Sequence, residues 1–199
     1  MRYRLAVLML FAVLPVMNVL AAPAPAPSAV LDIEPPPKGW SMEKHLESEI
    51  GHLTAPYGMP FTVWLDPEIR KLPSVAAKKD VREARSWLAK NIRVTKEDGG
   101  RRLRLTFRAG NRREQIAILN KLVRVYIHEG KKRQQFLEKC LRKDEKCVVE
   151  LEERIKSGQH PRMVDEYKKG IEELRSIHIP ARRAEIDRYK KIAVIRWAK

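Results

Sequence analysis

The chain has 199 residues, 44% hydrophobic and 33% charged: enough for one compact domain with its own core, too little for two large ones. Lysine and arginine outnumber aspartate and glutamate by 41 to 25, a formal charge of +16. Such an excess attracts polyanions (nucleic acid, anionic lipid headgroups or acidic polysaccharide) but does not specify a fold.

Arg2 and Arg4 form a short basic head, followed by an almost unbroken apolar run from Leu5 to Leu20 and small residues at Val19-Leu20-Ala21. This is the pattern of a signal peptide ending at Ala21. The rival reading is an uncleaved membrane anchor, since the run is about 18 residues long and barely spans a bilayer. Either way segment 1–21 directs the rest of the chain out of the cytoplasm, to the periplasm or to an inner-membrane anchor facing it. Nucleic acid is then not an expected partner. Segment 22–28, rich in Ala-Pro, predicts a stiff linker, and residues 29–199 form the domain.

Ala29, Leu31 and Ile33 alternate as in a strand, which Pro35-Pro36-Pro37 stops. Ser41 is placed to cap a helix with the stripe Met42, Leu46, Ile50 and Leu53. After Pro56, Gly58 and Pro60, the segment Phe61 to Ile69 predicts a short helical stretch closed near Pro73. Asp80 to Lys90 predicts a helix with Val81, Ala84 and Leu88 facing inward. Ile92 and Val94 then alternate with Arg93 and Thr95. Asp98-Gly99-Gly100 supplies a turn, and Leu103, Leu105 and Phe107 alternate with Arg102, Arg104, Thr106 and Arg108. The result is a β-hairpin with one buried and one arginine-rich face.

Asn111 is placed to cap a long helix with the stripe Ile116, Leu119, Val123, Tyr126, Phe136, Leu137, Leu141, Val148, Leu151 and Ile155. Gly158 to Pro161 folds it back, and Met163, Tyr167, Ile171 and Leu174 describe a return helix broken at Pro180. The two make an antiparallel helical hairpin over 111–178. Ile192 to Trp197 closes the chain as a strand. The fold class is therefore α+β: a small sheet layered with helices, with a long helical hairpin projecting from it.

No glycine-rich phosphate loop, GxSxG elbow or HExxH motif occurs. The sequence thus offers no catalytic, cofactor-binding or metal site. His45 and His52, seven apart on one helix, read as surface residues, and the carboxylates as partners of neighbouring lysines and arginines. Cys140 and Cys147, also seven apart, are separated by about 10 Å on a straight helix, too far for a disulfide. They are two half-buried thiols, an intermolecular bridge, or an intrachain bridge across a break at Lys143-Asp144. The basic residues form the one pattern: Arg93, Arg102, Arg104, Arg108, Arg112 and Arg113 are candidates for anion binding, because guanidinium forks match carboxylate and phosphate oxygens. The bland alternative is a sheet face kept soluble by charge.

Arg104-Leu105-Thr106-Phe107-Arg108, Asn111-Arg112, Ile118-Leu119-Asn120-Lys121-Leu122 and Tyr126, in this order, resemble the Wzz-type polysaccharide chain-length determinants, or polysaccharide co-polymerases. Upstream, Leu31 and Ile33 resemble the family's first strand, and Phe61 to Ile69 with Leu72-Pro73 its segment ahead of the hairpin. Asn111-Arg112 stands where the family has Asp-Pro, and no proline-rich segment or second membrane helix follows the closing strand. The resemblance implies a non-enzymatic extracytoplasmic domain that forms homo-oligomers in polysaccharide assembly, with a polysaccharide polymerase or acidic polysaccharide as partner and a membrane surface nearby. It makes Asn120 and Tyr126 structural positions of the long helix. The other readings are an exported adaptor that docks a protein on its helical hairpin, and a binder of anionic lipid or nucleic acid.

Overall fold

The computed structural model describes residues 25–97, 100–158, 160–190 and 193–198. The expected signal or anchor segment and two residues of the hairpin turn, Asp98 and Gly99, lie outside them.

β1 (Ser28–Asp32) leads to α1 (Met42–Thr54), capped by the Ser41 side chain, which accepts from the Lys44 N–H. Three short helices follow: α2 (Met59–Trp64), α3 (Pro67–Arg70) and α4 (Pro73–Ala76). The stretch over Phe61 to Ile69 ends at Arg70, close to Pro73, but Pro73 is not itself a stop. It opens α4 at a first-turn position, where its missing N–H removes no helical bond. α5 (Val81–Asn91) is capped by Asp80 and buries Ala84 and Leu88. Val81, expected inward, is 37% exposed because it lies in the first turn, on the solvent side of the cap.

α5 runs directly into β2 (Ile92–Lys96), which pairs antiparallel with β3 (Arg102–Phe107). The sheet order is β2-β3-β1-β4, with β4 at Ala193–Arg196. Ala29, Leu31, Ile33, Leu103, Leu105, Phe107 and Ile92 form its buried face against Leu46, Leu53, Val63, Leu88, Ile118, Leu119 and Leu122 of the helices. Hydrophobic alternation fixes this register, because a one-residue slip would turn every apolar side chain outward.

α6 (Arg112–Ser157) is 46 residues long, about 69 Å at 1.5 Å per residue. Asn111 and Glu114 close a capping box at its start: the Asn111 side chain accepts from the Glu114 N–H at 3.0 Å, and the Glu114 carboxylate accepts from the Asn111 N–H at 2.9 Å. Gly158 ends the helix at φ +65, a conformation that favours glycine. The return limb comprises α7 (Val164–Glu173), a wider π-type turn (Leu174–His178) and α8 (Ile179–Tyr189). Pro180 therefore does not break the return helix. The π-type turn lies immediately before it and absorbs the hydrogen-bond register that proline disturbs.

β1 and β3 are antiparallel, with Ser28 opposite Thr106, and β1 and β4 are antiparallel, with Val30 opposite Arg196. The start of β1, the end of β4 and the start of α6 therefore share one end of the sheet, here called the base. α6 leaves the opposite end near Gly130 and Arg133. The residues from there to Ser157 extend about 36 Å. Along this projecting part only Leu137 and Val148 are buried. Phe136, expected in the stripe, is 64% exposed, because Leu137, one helical step of about 100° further round, takes the inward position.

Candidate functional site

Two constellations stand out, one at each end of the sheet. The first begins on the outer face of the sheet: strand alternation puts Arg102, Arg104 and Thr106 of β3 and Arg93 and Thr95 of β2 on the face away from the core. In that register Arg93 stands opposite Thr106 and Arg104 opposite Thr95. Arg104 is tied to Glu97, and Arg101, outside the predicted set, pairs with Asp32 at 3.0 Å. Among the described residues, Arg93, Arg102, Arg108 and Arg113 form no ion pair. Arg112 donates to the Pro25 carbonyl at 2.9 Å. The six predicted arginines are thus not one patch. Arg102 lies at the far end of β3, opposite Asp32, whereas Arg93, Arg108, Arg112 and Arg113 gather at the base where the chain enters the fold. A shallow cavity of about 290 Å³ there is lined by Pro25 to Ser28, Arg104, Arg112 and Trp197.

The second constellation lies where the hairpin leaves the sheet. Glu34 follows β1, and His45 and Glu49 stand one turn apart on α1. One ligand atom from each lies within 4.8 Å of the others. Glu34 and His45 are both 3% exposed, so His45 is no surface residue, contrary to the expectation. It lies beside Glu34, beyond the end of β1, and lines one cavity with Ala181, Ala184 and Arg188 of α8. Its Nε2 stands 3.9 Å from Glu34 Oε1, too far for a hydrogen bond. Among the described residues, neither His45 Nε2 nor Glu34 Oε2 has a hydrogen-bond partner. Burial raises the Glu34 carboxyl above the usual carboxylate range, against the lowering effect of its backbone hydrogen bond.

Tyr126 of α6 donates to Glu49 Oε2 at 2.9 Å. Burial, with Glu49 and Glu34 nearby, holds this phenol well above the ordinary tyrosine range, so it donates a proton and does not lose it. Arg188 of α8 donates through Nε to the Pro35 carbonyl at 2.8 Å and stands 3.9 Å from Glu34 Oε1. Cavities of about 330 and 530 Å³ reach this cluster, and both are lined by Glu34, Glu49, Arg133 and Tyr189. Glu34, His45 and Glu49 could together hold a metal ion. His52, the other member of the sequence pair, lines the smaller cavity with Glu34 and Glu49 but is not one of the trio, and meets Glu129 at 3.1 Å.

Both positions that the family resemblance singles out make specific bonds. Tyr126 is the link just described. Asn120 pairs with both backbone groups of Ala198, beyond the closing strand. The cysteines sit on an unbroken α6, Cys140 half-buried and Cys147 exposed, both as free thiols. The helix has no break at Lys143-Asp144 across which an intrachain bridge could form.

Sequence reasoning missed the acidic–histidine cluster. Its one legible trace is the spacing His45-x-x-x-Glu49, which puts an imidazole and a carboxylate on one helix face. Glu34 lies beyond a triple proline, and nothing in the sequence marks it as buried. Among the described residues, no helix is long and apolar enough to cross a membrane. No family model matches the chain, and no curated protein or solved structure is significantly similar to it.

Proposed function

We propose that this chain is a non-enzymatic extracytoplasmic scaffold of polysaccharide assembly that stands base-down on a membrane and associates with copies of itself through its projecting hairpin. The observation that supports this reading best is topological. Both ends of the described chain emerge at the base, and the hairpin leaves from the opposite end of the sheet. An apolar N-terminal segment attached at the base would hold the domain upright. The gathered arginines and the 41%-exposed Trp197 would then face anionic headgroups, the composition favoured at membrane interfaces.

Self-association follows from how thinly the hairpin is packed. Two helices alone cover little surface, and Phe136, Val149 and Ile177 are left exposed. A groove of about 640 Å³ runs along it, lined in part by Ile155, Ile171 and Arg175. Neighbouring copies standing side by side would cover these groups, in keeping with the Wzz-like resemblance. A heterologous protein docked on the hairpin is the competing occupant.

Two measurements test the reading. Light scattering on the full chain in detergent should give a mass of several subunits, and a strict monomer at high concentration would sink the scaffold. Deleting the gene in its native host should change the length distribution of a surface polysaccharide resolved on a gel. An unchanged distribution beside a confirmed oligomer would favour the adaptor.

A further inference from the structure

We infer that Glu34, His45 and Glu49 form a binding site for a divalent transition-metal ion at the root of the helical hairpin. The inference does not depend on a role in polysaccharide assembly. It begins from an energetic problem. A carboxylate and an imidazole, both 3% exposed, are buried side by side while Glu34 Oε2 and His45 Nε2 have no hydrogen-bond partner among the described residues. Leaving a buried polar atom unsatisfied costs about 1–3 kcal/mol, and more for a charged group. Buried charges are ordinarily paired or coordinate a metal.

The nearest cation does not solve the problem. Arg188 is held by its Nε bond to the Pro35 carbonyl, and its terminal nitrogen stops 3.9 Å short of the other Glu34 oxygen. His45 approaches that same oxygen at 3.9 Å. Among the described residues, Glu34 Oε2 therefore has no hydrogen-bond donor.

The donor set fits an ion. Two carboxylates and one imidazole make a mixed oxygen–nitrogen site of the kind used for zinc, manganese or iron. Their combined charge of −2, with the imidazole neutral, balances a divalent cation. The three ligand atoms lie within 4.8 Å of one another. A tetrahedral ion bound at about 2.0–2.2 Å sets its donors about 3.4 Å apart, so side-chain shifts of about 1 Å bring all three onto one ion. Glu49 is already oriented, because Tyr126 donates to its Oε2 at 2.9 Å. A hydrogen bond of this kind to a ligand is the usual outer support of a metal site. The adjoining cavities leave the fourth position accessible to water. Bound there, the ion would tie the end of β1 to α1 and, through Tyr126, to α6 where the hairpin departs.

Zinc titration tests the site on the full-length protein after chelator treatment. Calorimetry should show one saturable Zn²⁺ site per chain, and Zn²⁺ should raise the unfolding temperature of the chelated protein, because an ion bound only by the folded state stabilises it. Glu34→Gln and His45→Gln should each weaken Zn²⁺ binding about tenfold or more and abolish the thermal shift. Glu49→Gln should do the same while keeping an oxygen for Tyr126, and guards against a folding defect in the two buried variants. His52→Gln, outside the trio, should bind as the unaltered protein does. Absence of saturable binding by Zn²⁺ and Mn²⁺, or binding unchanged in both Glu34→Gln and Glu49→Gln, would overturn the inference.

Discussion

Asn120 of α6 holds Ala198 by both of its backbone groups: the side-chain oxygen accepts the Ala198 N–H at 3.0 Å, and the side-chain amide donates to the Ala198 carbonyl at 3.4 Å. A primary amide offers the same donor–acceptor pair as a peptide unit, so Asn120 acts as a one-residue continuation of the sheet beyond β4. It fastens the last described residues to the helix that starts at the same end of the fold. Asn120→Ala removes two partly buried hydrogen bonds and should destabilise the domain by about 1–3 kcal/mol. Asn120→Asp, which keeps the acceptor and loses the donor, should fall between the two. Urea unfolding checks the order, and equal stability of all three proteins would show that the contact is incidental.

The N-terminus of α6 makes stability depend on acid. Glu114 accepts from the Ser74 N–H at 3.0 Å and from the Asn111 N–H at 2.9 Å. These bonds, that to Ser74 foremost, hold its carboxyl below the usual carboxylate range. Asp66 is likewise lowered, chiefly by its bond to Lys121. A depressed carboxylate contributes stability that is fully present above its unfolded pKa, about 4, and is lost as pH falls through the folded value. Stability should therefore hold from neutral pH to about pH 5 and decline below it, and Glu114→Gln should flatten part of that decline. A variant with the same acid profile as the unaltered protein would contradict the assignment.

Gly110 tests the same corner by sterics. It sits at φ +73, and a Cβ there would lie 2.5 Å from Glu114 Oε2. Gly110→Ala must therefore both strain the backbone and displace the carboxylate that closes the capping box. It should cost about 2 kcal/mol, combining the backbone penalty with the lost cap. In Glu114→Gln the added cost should be smaller, because the displaced group is no longer a charge. Purely additive losses in this double-mutant cycle would mean that the two residues do not communicate.

For the arginine face, serine at positions 102, 104 and 108 should weaken binding to an acidic polysaccharide at low salt and leave the unfolding temperature nearly unchanged. Among the described residues, only Arg104 of the three has an ion pair to lose, with Glu97, and a partly exposed pair contributes about 0–1 kcal/mol. Serine at positions 93, 112 and 113 should instead reduce retention on vesicles containing anionic lipid, since three of the basal residues are then removed or neutralised together. Unchanged binding in both sets would reduce the arginines to a solubilising surface.

Elements governed by local periodicity were legible in the sequence. The alternation of Leu103, Leu105 and Phe107, the cap at Asn111 and the stripe Leu119, Val123 and Tyr126 each carry their geometry within a few residues. What depended on distant packing was not. Phe136 and Leu137 are adjacent and equally apolar, and only the return limb decides which one turns inward. Pro180 reads as a breaker until the preceding turn widens to receive it. The acidic–histidine cluster was hidden for the same reason: Glu34 follows β1 and is separated from His45 and Glu49 of α1 by a proline run, and the cavities that they line are completed by Tyr126, Arg188 and Tyr189 from the far half of the chain. Arginines, by contrast, announce themselves by type, but the division between the β3 face and the base needs the strand register.

The cysteines give a last test, of the continuity of α6. Both thiols are free, and no break interrupts the helix between them, so they stay about 10 Å apart along its axis, beyond the reach of a disulfide. Mild oxidation of dilute protein should therefore leave an intrachain bridge unformed, as read by mass spectrometry under non-reducing conditions. Cys147, exposed, should react with a thiol reagent faster than half-buried Cys140. At high concentration, Cys147 is the thiol placed to form a bridge between two copies standing side by side. A Cys147→Ser variant should remove that disulfide dimer, and Cys140→Ser should leave it intact. Rapid intrachain oxidation at low concentration would mean that α6 bends or unwinds near Asp144, and the straight projecting hairpin would have to be abandoned.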